Sequence, residues 1–288
     1  MSKQDHDAQT HVEPVTSPQE PASEQSISEY WTPQRKANAL PRKACPDQPT
    51  PIAEETALRR KQRQEILNTG PVTSRVTSPN EAPFAAVGKL FFHWKGSDWV
   101  GSAWIINTPT RGIVTAAHNV FDENEWSSKV LFELQYADGH YVAEWAGKQS
   151  VALKGWTLDT NYAYDMAVVI PKTAIGGSVP ALDYVVDAKA ENFLALGYPT
   201  PPLPHYAFDG KYMWGSSGSL IAENRGVISA YNNLTRGSSG GPWCAKAGNV
   251  WVVNGIQSHG FNDPDVSYSP LFSSKTFVPL LRSAGLIS

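Results

Sequence analysis

Gly237-Ser238-Ser239-Gly240-Gly241-Pro242 is a glycine-rich turn carrying a serine whose neighbours are all small. A serine hydroxyl is a poor nucleophile until a base removes its proton. A base is available in Gly112-Ile113-Val114-Thr115-Ala116-Ala117-His118-Asn119-Val120, where a β run and two small residues end in a histidine. An imidazole in that role needs a carboxylate on its other nitrogen, to fix the tautomer and steady the cation. Tyr164-Asp165-Met166-Ala167-Val168-Val169 places one at the mouth of an apolar strand. Glycines around the serine let backbone N–H groups, those of Gly237 and Ser239, converge on a developing oxyanion. His118, Asp165 and Ser239 are therefore expected to act as base, orienter and nucleophile in acyl-transfer chemistry.

Plainer readings compete at each position. A lone histidine usually packs or is solvated, and His93, His140 and His205 are read so. An aspartate before a strand is commonly a turn residue, and Asp159, Asp183 and Asp187 are substitutes for Asp165. Gly215-Ser216-Ser217-Gly218-Ser219 is a second Gly-Ser segment, with Ser217 as a rival nucleophile.

The elements that must position these residues begin near residue 83. Residues 1–83 hold 11 of the 22 prolines, one glycine (Gly70) and two aromatics (Tyr30 and Trp31), whereas 29 aromatics fall in the remaining 205 residues. Such a segment lacks the apolar surface to offset chain entropy. Residues 1–70 are expected to form a proline-rich, mostly disordered tail or pro-segment, with a helix possible at 51–68 between Pro51 and Gly70. Removing residues 1–50 is then expected to shift Tm by no more than about 2 °C. From Phe84 on, short apolar runs alternate with Gly, Asn, Asp and Pro. Val100–Ile106, Lys129–Leu134, Met166–Ile170 and Val250–Asn254 read as strands, and Thr276–Ala284 as one short helix stopped by Gly285. An all-β domain over 71–288 follows.

The 24 basic and 27 acidic residues give a net charge of -3, with no bulk attraction to nucleic acid or membrane. No run of 18 apolar residues suggests a membrane-spanning helix, and the polar start is not that of a signal peptide, which points to the cytoplasm or a non-classical export route. Cys45 and Cys244 allow at most one disulfide and are expected to stay reduced. No metal-ligand cluster is apparent and no cofactor is expected. A monomer acting on a protein or peptide is the expected state.

Thr-Ala-Ala-His, Asp-Met-Ala-Val-Val and Gly-Ser-Ser-Gly-Gly-Pro, 47 and then 74 residues apart from His118 to Asp165 to Ser239, resemble the three signatures of chymotrypsin-fold serine proteases. The resemblance implies two packed antiparallel β-barrels and spans roughly residues 70–288. Lys154-Gly155-Trp156, Leu196-Gly197-Tyr198-Pro199, Met213-Trp214 and Ser74-Arg75-Val76 look like landmarks of the glutamyl-endopeptidase branch, the last like its mature N-terminus. In the family, Met-Trp leads into an ordinary strand and the nucleophile stands some 19 residues before the serine equivalent to Ser258, which favours Ser239 over Ser217. Ser238 stands where trypsin-like enzymes carry an aspartate that pairs with a freed N-terminus, so that switch is not expected here.

The resemblance also implies a substrate pocket from Leu234, Thr235, Gln257, Ser258, His259 and Gly260. The branch cleaves after glutamate with a histidine where this chain has Gln257, and with a Thr or Ser where it has Leu234. Gln257 offers neutral donors and Leu234 none, while His259, two residues along the strand, shares a side with Gln257. The pocket is expected to be less selective for anions than the branch norm. The resemblance thus implies a serine endopeptidase. The alternatives are an inactive protease-fold module that recruits partners through its tail, and a tail-targeted effector acting on a single partner.

Overall fold

The computed structural model describes residues 10–42, 71–188, 190–201, 207–260 and 263–288. Residues 10–42 contribute β1 (Pro14–Thr16), helices α1 (Glu24–Tyr30) and α2 (Pro33–Asn38), and β2 (Leu40–Pro41). β3 (Val72–Arg75) follows, then β4 (Val87–Trp94), β5 (Ser97–Ile105), β6 (Ile113–Thr115) and the four-residue helix α3 (Ala117–Val120). Next come a small hairpin of β7 (Phe121–Asp122) and β8 (Glu125–Trp126), β9 (Ser128–Leu134), β10 (Ala143–Leu153), helix α4 (Lys154–Thr157) and β11 (Ala167–Pro171). The second half holds β12 (Asp183–Tyr184), β13 (Asn192–Gly197), β14 (Trp214–Asn224), β15 (Val227–Tyr231) and β16 (Pro242–Ala247). It ends with β17 (Val250–Ile256), β18 (His259–Gly260), β19 (Val266–Pro270) and helix α5 (Phe277–Ser283).

Strands β10, β11, β6, β5, β4 and β9 pair in that order, and β9 pairs back to β10, so this sheet closes into a barrel. The second sheet runs β12-β17-β16-β13-β14-β15-β19-β18, with β3 on β14. It curls until Ser258 N–H donates to the Tyr268 carbonyl at 3.1 Å. The expected all-β, double-barrel class is the one observed, with a closed barrel and a second curled sheet. Period-two alternation sorts the side chains. On β4, Leu90 and Phe92 fill the barrel interior, while Val87 and Phe91 join the core shared by the two halves. On β16, Trp243 and Ala245 face the interior of the second sheet, and Cys244 faces the shared core. Cys244 is the buried core residue expected, its thiol pushed up by burial; Cys45 lies outside the described residues. Helix α5 ends as the sequence implies, with Gly285 at φ 70° donating back to the Arg282 carbonyl.

The tail departs from expectation. Residues 10–42 are not disordered but form a strap around the first barrel. β1 extends the sheet by pairing with β10, Pro14 opposite Leu153 and Thr16 opposite Val151. Helix α1 is capped by Ser23 and sends Ile27 and Trp31, four residues apart, into the shared core at 0% and 2% exposure. β2 then lies parallel to β5, Leu40 beside Trp99. Composition misled because the segment builds no core of its own: it inserts two side chains into a core made by other residues. The helix expected at 51–68 lies outside the described residues. Ser74 and Arg75, which resemble a mature N-terminus, are strand residues paired with Gly215 and Trp214.

Candidate active site

β6 ends at Thr115 and the chain turns at once into α3, which buries His118 at 1% exposure. Asp165 follows a 3-10 turn at Tyr162–Tyr164 capped by the Asn161 side chain, and precedes β11. Because β6 and β11 are paired, Ala167 opposite Thr115, the two residues emerge side by side at one rim of the barrel. Asp165 Oδ2 lies 2.9 Å from His118 Nδ1, and Asp165 Oδ1 accepts from the His118 backbone N–H at 2.9 Å. Ser258 Oγ also donates to Asp165 Oδ2. Burial alone raises the Asp165 carboxyl, but His118 and the bonds from Ser258 and the His118 backbone outweigh it and hold the carboxyl below its ordinary range. Asp165 is therefore an anion anchored at three points, fixed to the Nδ1 edge of one imidazole.

The rival carboxylates are occupied elsewhere. Asp159 pairs with His11 at 3.2 Å, Asp183 accepts from Asn107 Nδ2 at 2.7 Å, and Asp187 accepts from the Ser274 N–H. His93 lies 2.8 Å from Asp98 and 2.9 Å from Tyr30 Oη, which accounts for it structurally. His205 lies outside the described residues. Ser217 sits mid-strand on β14, opposite Leu194 and Val72.

Ser239 comes from the second half and is tied to the first. Its carbonyl accepts from Ser102 N–H at 2.8 Å and from Asn119 Nδ2 at 3.0 Å, the residue after His118. Gly240 is at φ 87°, and a Cβ there would stand 2.1 Å from Thr115 Oγ1 and 2.3 Å from the Ser102 carbonyl. Only glycine lets the serine turn approach the histidine's strand so closely. His118 Nε2, opposite the nitrogen that Asp165 holds, is buried and has no hydrogen-bond partner among the described residues. The Ser239 hydroxyl is thus not bonded to it here; such bonds are often loose in unliganded enzymes and tighten with substrate. Gly237 and Ser239 N–H groups donate to no acceptor among the described residues.

The pocket residues sort differently from expectation. Gln257 Oε1 accepts from Asn232 Nδ2 at 2.7 Å and Trp243 Nε1 at 2.9 Å, while Nε2 donates to Ser267 Oγ at 2.9 Å and the Leu234 carbonyl at 3.3 Å. Its amide is fully engaged, so Gln257 is a buried strut and not a donor to substrate. Leu234 packs with Phe193, Phe208 and Trp243 in the core of the second sheet, and Thr235 Oγ1 donates to the Thr200 carbonyl. Ser258 serves Asp165. His259 lies between two rings, 4.0 Å from Tyr162 and stacked 5.1 Å from Tyr268. Burial pushes its imidazole down to about 3, against the pull of Asp165, so it is neutral at ordinary pH. Gly260 keeps its place on the short edge strand β18, opposite Ser267. Ser102, whose N–H holds the Ser239 carbonyl, and Thr200, whose carbonyl accepts from Thr235, are ordinary strand and loop residues that the sequence did not single out.

No protein-family model and no curated protein matches the chain. Solved structures do. The protease Anisep from Arthrobacter nicotinovorans superposes with a TM-score of 0.63 at 23% identity, over 74% of this chain and 99% of that one. A Glu endopeptidase matches at 0.61 and 20% identity, over 74% and 96%. The fold is that of chymotrypsin. The chymotrypsin fold does not by itself decide activity: an inactivated protease paralogue of the scabies mite matches at 0.55 and 12% identity, over 73% and 98%. The site must carry that argument.

Proposed function

We propose that the protein is a serine endopeptidase working through an acyl-enzyme. Ser239 Oγ attacks the scissile carbonyl carbon while His118 Nε2 takes the hydroxyl proton. The carbonyl electrons move to the oxygen, which the Gly237 and Ser239 N–H groups receive. Collapse breaks the C–N bond, and His118 returns the proton to the departing amine. Water repeats the cycle on the ester, freeing Ser239. Asp165 stays ionised throughout and steadies the imidazolium.

One observation carries this reading: a buried imidazole with Nδ1 held by a triply anchored carboxylate and Nε2 left without a partner among the described residues. A buried polar atom with no partner costs about 1–3 kcal/mol, and here it is the ring nitrogen opposite the one Asp165 holds, the position from which a general base takes a proton. The neutral surroundings of Gln257 and His259 support cleavage after uncharged residues. Incubation with a peptidyl phosphonate, read by intact mass and peptide mapping, tests the assignment. A single adduct on Ser239, absent in Ser239→Ala and present in Ser217→Ala, is expected. An unreactive protein would favour the binding-module reading, and an adduct on Ser217 would move the site.

A further inference from the structure

The two peptide groups that flank Gly237 are each held by a residue from outside the serine turn. The Arg236 carbonyl shares a peptide plane with the Gly237 N–H. It accepts from the Thr200 N–H at 2.8 Å and from Thr200 Oγ1 at 2.9 Å. In a trans peptide the C=O and N–H point in opposite directions, so two donors on that oxygen aim the Gly237 N–H away from Thr200. On the other side, the Gly237 carbonyl accepts from Ser102 Oγ at 2.9 Å. That hydroxyl accepts in turn from the Tyr198 N–H at 3.0 Å, and Ser102 N–H grips the Ser239 carbonyl. Ser102 is fully buried on β5, in the opposite half of the molecule from the turn it holds.

Gly237 has φ 89°, a conformation in which the chain gains nothing locally, and a Cβ would stand 2.5 Å from the Tyr198 carbonyl. Left to itself the turn could rotate the 236–237 peptide and lose its donor. Ser238 ties inward, its hydroxyl donating to the Thr235 carbonyl, and Thr235 Oγ1 closes a ring onto the Thr200 carbonyl. All of these groups are neutral hydroxyls and amides, so the arrangement needs no freed terminus and no ion pair.

We propose that Thr200 and Ser102 are positioning residues that preform the oxyanion hole by clamping both peptides of Gly237. This rests on the peptidase reading for its catalytic consequence, though not for the clamp itself. Thr200 is half-buried, so Thr200→Val removes one hydroxyl with little change of shape, and Thr200→Ser keeps that hydroxyl. Ser102→Ala removes the other.

Three measurements on the full chain separate the possibilities. Amide hydrogen exchange of residues 235–241 in the unliganded protein needs no activity. It is expected to quicken at least about tenfold in Thr200→Val and Ser102→Ala, and to stay as in the wild type in Thr200→Ser. Steady-state cleavage of a peptide drawn from a cut-site library should show kcat down about tenfold in Thr200→Val and more in Ser102→Ala, with KM within about twofold. A peptide boronic acid, which places an oxygen in the hole, should lose affinity in parallel. Unchanged exchange, or faster exchange with unchanged kcat, overturns the proposal, as does a rise in KM alone. Should Ser102→Ala fail to fold, the Thr200 pair decides. A wild-type protein that cleaves nothing would remove the peptidase reading, and exchange would still report on the clamp.

Discussion

Trp31 of the strap packs against Phe91 of β4 with ring centroids 5.4 Å apart, and its indole N–H donates to the Lys129 carbonyl at 2.6 Å. The ring sits in the same core as Leu196, Tyr198 and Ile256 of the second half, so a residue from the proline-rich N-terminal stretch helps to cement both halves. Around it, Tyr30 donates to Asp98, Arg35 bonds to both, and Lys36 pairs with the buried Glu133.

Trp31→Ala should therefore destabilise the protein by about 3–5 kcal/mol, the usual effect of removing a large buried aromatic. Urea denaturation measures it. Deleting residues 1–42 should be worse still, which reverses the expectation drawn from composition. A deletion variant with an unchanged midpoint would show the strap to be ornamental.

Catalysis should depend on the buried pair and the serine as a unit. Ser239→Ala or His118→Ala is expected to lower kcat by about 10⁴-fold or more, and Ser217→Ala to leave it within about twofold. Full activity in Ser239→Ala would end the assignment.

Specificity should follow the engaged amide of Gln257 and the neutral ring of His259. No cation stands at either position to meet a buried carboxylate, which is costly without one. Cleavage after Glu should exceed cleavage after Gln, Leu or Phe by no more than about tenfold, or about 1.4 kcal/mol. Sequencing the cut sites in a diverse peptide library checks this, and a hundredfold Glu preference would contradict it.

A pH test comes from Lys89. It is buried on β4, donates to the Gly210 carbonyl at 2.8 Å, and burial pushes its amine down to about 8, against the pull of Glu133 and Asp209. Between about 8 and the ordinary lysine value of about 10.4, the unfolded chain holds more protons than the folded one. Stability should therefore gain from this group as pH rises through that window, by about 3 kcal/mol at most. The gain should be missing from Lys89→Met in denaturation curves run from pH 7.5 to 10.5; equal slopes in the two proteins would refute it.

The three residues we propose as catalytic could be singled out in the sequence because each sits in a short local pattern with its own chemical reason: small residues before His118, glycines around Ser239, an apolar strand after Asp165. The strands carrying them were legible for the same reason, since alternation is a local signal. What escaped was made by distant partners. Ile27 and Trp31 are two apolar positions in a polar stretch, and only the barrel reveals the cavity that receives them. Gln257 looked like a pocket donor because nothing nearby in sequence announces Asn232, Trp243 and Ser267 as its partners. The strand period put His259 on the Gln257 side, yet Tyr162 and Tyr268 determine what that ring does.

The route of the chain between the halves has a mechanical corollary. The strap lies on the first barrel, β3 on the second sheet, β4 to β11 on the first again, β12 to β19 on the second, and α5 returns to β10 and β11. Four covalent crossings therefore join the halves, where a simple tandem of two barrels would have one. A single nick in any connecting loop, including one made by another copy of the same protein, severs at most one crossing and leaves three. Such a molecule would run as fragments on a denaturing gel and as one particle on a sizing column, with Ser239 still tied to Ser102 and to Asn119, the residue after His118.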